Sequence, residues 1–139
     1  MLKKNLIILT VIFIFFQISS SASEEKFLSL KKNKVNVRYG PSFDFPVKYI
    51  YKKINLPIKQ IDKKENFRRI IDFKKNSGWI HISQLKKVNS VIAIKDKILF
   101  IKPSIFSKPI ANVKRGRLLI VQKCKEDWCK VKTDSLNGW

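Results

Sequence analysis

The chain has 139 residues, 30 of them Lys or Arg and 10 Asp or Glu, for a formal charge of +20. That length holds one ordinary domain or two very small ones, and so positive a field attracts anionic polymers, lipid headgroups or nucleic acid. Only 5 of the basic residues are Arg and 25 are Lys, spread along the chain, which argues against nucleic-acid recognition built on the bidentate guanidinium fork.

Residues 1–22 read as an export signal. Lys3 and Lys4 form a positive start, and Leu6 to Ile18 is an apolar stretch broken only by Thr10 and Gln17. Ser20 and Ala22 supply the small residues a signal peptidase reads, which places cleavage after Ala22. The stretch is shorter than the about 20 residues a membrane span needs, although an uncleaved anchor is the competing reading. With no Cys at the cleavage site, a lipid anchor is not expected. The mature chain of residues 23–139 is expected in the periplasm or secreted. Losing Lys3 and Lys4 lowers its charge from +20 to +18.

Residues 23–34 form a polar, Lys-rich lead-in, expected to be loose at its start. The first module follows at residues 35–87. Val35 and Val37 alternate with Asn36 and Arg38 as in a half-buried strand, and Gly40-Pro41-Ser42 ends it with a turn. Val47 to Lys52 and Ile58 to Asp62 read as further strands, separated by Asn55 and Pro57. Lys63 to Phe73 reads as a hairpin turning at Glu65-Asn66, and Gly78-Trp79 leads into an apolar strand from Ile80 to Leu85.

Residues 88–97 are a connector, read either as a closing strand of the first module or as a spacer. The second module, residues 98–139, repeats the order: a strand at Ile98 to Lys102, a turn at Pro103-Ser104, strands near Ile110 to Val113 and Leu118 to Lys123, a hairpin turning at Glu126-Asp127, then Gly138-Trp139. Phe67 matches Trp128 at a separation of 61 and Trp79 matches Trp139 at 60. Trp79 is followed by IHISQL, and Trp139 by nothing. A barrel without its last strand exposes an unpaired edge. The expectation is a longer natural chain, or completion of the second module by a partner or by Val88 to Ile94.

The opening VNVRYGPS (Val35 to Ser42), with GWIHIS (Gly78 to Ser83) downstream, resembles the bacterial SH3-like (SH3b) domain. The likeness covers roughly Val35 to Leu85 well. It is weaker in the second module, which keeps the Trp hairpin and the Gly-Trp but lacks the Asn-x-Arg and Gly of the opening. The resemblance implies an all-β chain of two tandem SH3-like barrels, the second apparently truncated. It also implies an exported binding role toward cell-wall peptides or partner proteins; fold alone does not fix the ligand.

Cys124 and Cys129 flank the second hairpin. With the turn at Glu126-Asp127 they face one another, at the about 4.5–5.5 Å between Cβ atoms of opposed strand positions. In an oxidising compartment a disulfide is the expected state, contributing about 2 kcal/mol for so short a loop. The spacing is not that of a redox dithiol, and two Cys with one His supply too few ligands for a zinc site. No metal or cofactor is expected. No nucleophile elbow, phosphate loop or carboxylate pair is present, so the chain reads as non-enzymatic.

The aromatic residues are the better site candidates. Arg38, Tyr39, Phe43, Phe45, Tyr49, Tyr51 and Trp79 are expected to line a groove suited to an extended peptide or glycan. Core filling is the competing role, favoured for Trp79, Trp128 and Phe67. The expected partner is a peptidoglycan peptide or an envelope protein. The rival is a basic binder of anionic polymer or lipid surfaces acting through net charge, and a third possibility is the targeting segment of a larger hydrolase.

Overall fold

A computed structural model describes residues 25–139; the expected signal segment lies outside them. The first module contains strands β1 (Lys26–Leu30), β2 (Val35–Arg38), β3 (Val47–Tyr51), β4 (Pro57–Lys64), β5 (Phe67–Ile71), β6 (Ser77–His81) and β7 (Leu85–Lys87). They form one antiparallel sheet in the order β3-β2-β6-β5-β4-β1-β7. Alternation of buried and half-exposed residues along β2 and β6 turns Val35, Val37, Gly78 and Ile80 inward.

Inward side chains from six of these strands or their flanks meet in one cluster of Leu30, Val35, Val37, Leu56, Ile58, Ile70, Ile80 and Leu85. In a flat sheet β2 and β7 would stand about 24 Å apart. Their side chains share a core only because the sheet curls on itself. The Asn36 amide donates to Gln84 Oε1 at 3.3 Å across the gap. The outer strands β3 and β7 do not pair with each other, so the sheet is curled around its core without closing into a continuous ladder.

The second module contains β8 (Ser90–Ile92), β9 (Lys97–Phe100), β10 (Pro109–Val113), β11 (Leu118–Lys125), β12 (Trp128–Lys132) and β13 (Asn137–Gly138). Its four-stranded sheet runs β13-β12-β11-β8 and its two-stranded sheet β10-β9. Phe100 and Trp139 exchange two backbone hydrogen bonds of 2.8 Å, joining β9 to the end of β13. The resulting order matches the first module without a counterpart of β7. Ala93, Leu99, Val113, Leu119 and Val131 form the core.

The repeat extends to backbone detail. Both hairpins turn on a Glu with positive φ, Glu65 at 46° and Glu126 at 52°, the sign that a tight two-residue turn needs at its first central position to match strand twist. Cys124 lies opposite Cys129, where Lys63 lies opposite Arg68, and the two cysteines are disulfide-bonded.

The lead-in carries a strand not assigned from the sequence, β1, which pairs with β4 and β7 and buries Leu30; its expected loose start, residues 23–24, lies outside the described residues. Of the alternatives for the connector, the structure takes completion of the second module by Val88 to Ile94, and not a spacer or the end of the first module: β8 pairs with β11 and Ala93 joins the second core. The equivalence is close, since Leu30 N donates to Leu56 O as Ala93 N donates to Arg117 O. The strand β1 was hidden because it is short and turns only Leu28 and Leu30 of its apolar residues inward. The modules meet where Ser29 Oγ lies 3.1 Å from Ser90 Oγ, Ser90 Oγ donates to Asn55 O at 2.6 Å, and Ile92 packs on the first core.

Candidate functional site

The seven expected groove residues do not share one wall. Arg38 and Trp79 stand opposite one another on the outer face of β2 and β6, with Arg69 on the far side of Trp79. Among the described residues Arg38 has no ion-pair partner. Its Nη1 donates to the carbonyls of Phe43 (3.1 Å) and Phe45 (2.7 Å), and its guanidinium lies 5.3 Å from the Phe43 ring centre. It clamps the loop from Tyr39 to Pro46. Phe45 lies against Gly40, where a Cβ would sit 2.5 Å from its ring.

Phe43, Phe67 and His81 form a three-ring cluster with centroid separations of 5.1–5.2 Å. Phe67 is buried under it, while Phe43 and Tyr39 are each 62% exposed. Trp79 and Trp128 are only half-buried and belong to neither core cluster, contrary to the core role expected for them. A central strand residue on the outer face of a small curled sheet has no second layer to cover it.

Tyr49 and Tyr51 lie elsewhere. Their rings meet edge to face, their hydroxyls are 3.3 Å apart, and the Tyr51 hydroxyl donates to Asp72 Oδ2 at 3.0 Å. Asp72 also accepts from the amides of Lys74 (2.8 Å) and Asn76 (2.9 Å) and from Asn76 Nδ2 (3.0 Å). Four donors converge on one carboxylate, which fixes the turn between β5 and β6.

Beside this turn lies a cleft of about 710 Å³ at the module junction, lined by Tyr51, Lys53, Asp72, Phe73, Lys74 and Arg115 among others. Arg115 comes from the second module. Asp96 accepts from the Arg115 amide at 2.9 Å and from Lys114 Nζ at 2.8 Å, and these partners, Lys114 first, hold the Asp96 carboxyl below its usual range. The Asp72 oxygens are already occupied by internal donors, and Lys53, Lys74 and Arg115 outweigh its single negative charge, so the cleft is net cationic. A second cleft of about 480 Å³ shares Asp72 and Phe73 and is lined by Phe27, Ile71, Val91 and Ile92. The pair offers a cationic wall continuous with an apolar one.

Of the expected residues, Tyr51 reaches this junction, Tyr49 supports it, and the other five sit on the outer face. Asp72, Phe73, Lys74, Lys53 and Arg115 were missed. A lone acid four residues before Asn76 in IIDFKKNSGW was the available signal, since Asp side chains bond the backbone of such turns.

The bacterial SH3 domain family matches the chain over residues 31–87 and again over 97–139. The chain belongs to this family. Both matched SH3 segments begin just after the strands β1 and β8, so each module of this chain carries one strand ahead of the recognised pattern. No curated protein sequence matches the chain. Among solved structures, NlpC1 from Trichomonas vaginalis is similar at 14% identity with a TM-score of 0.40, over 90% of this chain and 46% of its own. NlpC2 from the same organism is similar at 13% identity with a TM-score of 0.40, over 85% and 46%. The chain thus spans under half the length of either, and at that TM-score neither adds to the assignment.

In this SH3 pair the two junction tyrosines resist ionisation. Burial, then the bonds to Tyr49 and Asp72, push the Tyr51 phenol far above its ordinary range, and burial raises Tyr49 as well. A phenol with a raised folded pKa stabilises the fold fully below its unfolded value of about 10 and loses that contribution as pH climbs toward the folded value. Phenolate absorbance should therefore show two of the three tyrosines ionising late, together with unfolding. Tyr51→Phe should reduce the alkaline loss of stability. Both ionising in the ordinary phenol range while the protein stays folded would contradict the junction geometry.

Proposed function

We propose that this chain is an exported, non-enzymatic binding protein. Its two SH3 modules together hold an acidic peptide strand, of the cell wall or of an envelope protein, in the cleft at their junction. The observation that carries this reading is the lining of that cleft. Both modules contribute cations to it, and its only carboxylate is saturated by internal donors. A ligand carboxylate meets Lys53, Lys74 and Arg115 without facing a free acid, while the adjoining apolar cleft takes small side chains. A site that needs both modules also gives a reason for the tandem arrangement. Export rests on residues 1–22. The non-enzymatic role is supported by the placement of the one histidine, His81, on the outer face, where its Nδ1 bonds Ser83.

The test is binding of the chain from residue 23 to purified cell-wall sacculi across a salt series. The triple variant Lys53→Gln/Lys74→Gln/Arg115→Gln should weaken binding by about tenfold or more, since each tenfold step is only about 1.4 kcal/mol and hydrogen bonds to charged groups are worth at least that. Phe43→Ala should leave binding unchanged. The reverse pattern would move the site to the outer face. Elution by moderate salt, with no effect of any variant, would mean that net charge alone does the binding.

A further inference from the structure

The loop from Ile101 to Lys108 joins β9 to β10 and is the counterpart of the clamped loop from Tyr39 to Pro46. The two share a backbone framework. Tyr39 N donates to Pro46 O at 3.2 Å, and Ile101 N donates to Lys108 O at 3.1 Å. Asp44 N donates to Ser42 Oγ at 3.1 Å, and Phe106 N donates to Ser104 Oγ at 3.2 Å. The second loop is further pinned by Ser107 N to Ser104 O and by Lys102 N to Ser107 Oγ. It is an ordered turn, with Ile105 and Phe106 at its two central positions.

Those positions normally hold Pro, Asp, Asn or Gly, because a turn tip faces water. In the first module they hold Phe43, folded onto Phe67 and His81, and the charged Asp44. In the second they hold two large apolar side chains, Ile105 at 69% and Phe106 at 93% exposure. Lone exposed apolar residues need no explanation. Two adjacent ones held outward by internal hydrogen bonds do.

The charge around them is one-sided. Lys102 and Lys108 flank the tip at either end of the loop, and the surface around it holds no acid among the described residues, while Lys114 and Arg117 further along the chain are paired with Asp96 and Asp134. We propose that this loop is an insertion finger for an anionic lipid bilayer. Ile105 and Phe106 enter the boundary between headgroups and acyl chains, while Lys102 and Lys108 lay their aliphatic stems along it and keep their ammonium groups at the phosphates. A tip whose two apolar side chains are mostly exposed fits a fluid surface that deforms around it, and apolar burial combined with attraction to anionic lipid is the pairing that holds peripheral proteins on membranes. This inference stands apart from the junction cleft, since the finger and the cleft lie on different parts of the second module and share no residue.

The experiment is co-sedimentation of the chain from residue 23, which retains every described strand and both cores, with vesicles of phosphatidylglycerol and phosphatidylcholine, against vesicles of phosphatidylcholine alone. Removing residues 1–22 removes an apolar stretch that would bind lipid by itself. The expected result is binding to the anionic vesicles only, weakened by about tenfold or more in Ile105→Ser/Phe106→Ser. Phe106→Asp, which places at the tip the residue type of the first loop, should weaken it at least as much. Both variants change only exposed side chains, and an unchanged thermal midpoint checks that the fold is intact. Equal binding by parent and variants would overturn the finger and assign lipid attraction to charge alone. A parent that ignores anionic vesicles would also overturn it and leave a protein pocket as the occupant of the tip.

Discussion

Gly78→Ala is expected to destabilise the protein by about 3 kcal/mol, the upper part of the range for overpacking a core. A Cβ at this position would lie 2.4 Å from Val37 Cγ1 and 3.0 Å from the Arg38 carbonyl oxygen. Val37 is fully buried between core neighbours and has nowhere to turn, so β2 and β6 must separate. The matching glycine of the second module is an internal control. At Gly138 the added atom would meet Ile110 Cδ1 at 2.9 Å and Leu99 Cβ at 3.0 Å, and the Ile110 methyl is the free end of a side chain that can swing away. Gly138→Ala should therefore cost about 1 kcal/mol. Thermal or denaturant unfolding of the two variants decides it. Equal losses, or a neutral Gly78→Ala, would mean that β2 and β6 are not packed as closely as described.

The second large effect is expected at Asp72. Asp72→Ala removes the acceptor of four hydrogen bonds and leaves the half-buried Tyr51 hydroxyl without its carboxylate partner. Hydrogen bonds to a charged group are worth about 1.5–3 kcal/mol each, less where water replaces them. A loss of about 3 kcal/mol, or about 10 °C in Tm for a chain of this size, is the expected outcome. Asp72→Asn keeps part of the acceptor capacity and should cost about half as much. The counterpart Thr133 accepts only from the Leu136 amide, at 3.2 Å, so Thr133→Ala should cost about 1 kcal/mol. The variant also reports on function. The Asp72 turn carries Phe73 and Lys74 into the junction cleft, so a folded Asp72→Asn protein with weakened sacculus binding would tie that turn to the site. If Asp72→Ala unfolds no earlier than Thr133→Ala, the carboxylate is not the organiser of this turn.

The elements that the sequence made legible are those whose partners lie close along the chain. Lys64 faces Phe67 and Lys125 faces Trp128 across two-residue turns. Once each turn was placed, the pairs next to it followed, including the Cys124–Cys129 bridge, as far as the register shifts between Gln60 and Asp62 and between Val121 and Lys123. The Gly-Pro-Ser turn, the strand alternation at Val35 and Val37, and the Gly-Trp landmarks were visible for the same reason. The strand β1 was not, and β8 was read only as one of several alternatives for the connector. Leu28 pairs with Ile58 and Val91 with Leu119, across about thirty residues that no local pattern connects, and lysines around them read as a polar lead-in and a spacer.

The candidate site divides in the same way. Arg38 stands out in sequence because it belongs to the VNVRYGPS opening, and Phe43 because it is one of several aromatic residues beside that turn, yet their contacts serve the loop and the ring cluster. Asp72, which no pattern emphasised, holds the turn beside the cleft. Side-chain chemistry alone could not separate these roles, because an arginine that clamps two carbonyls and one that awaits a ligand have the same neighbours in sequence.

By itself, the sequence determined two tandem copies of a short-stranded β module, a bridged second hairpin and an excess of positive charge. All of these are set by residues within a few positions of one another. Only the tertiary structure decided that β1 and β8 complete their modules and that Tyr51 and Arg115 face one cleft. Those two residues come from different modules, and their approach depends on Ser29, Asn55, Ser90 and Ile92 locking the two cores together. Contacts of that separation are paid for in chain entropy and are made only where packing elsewhere has already brought the strands together.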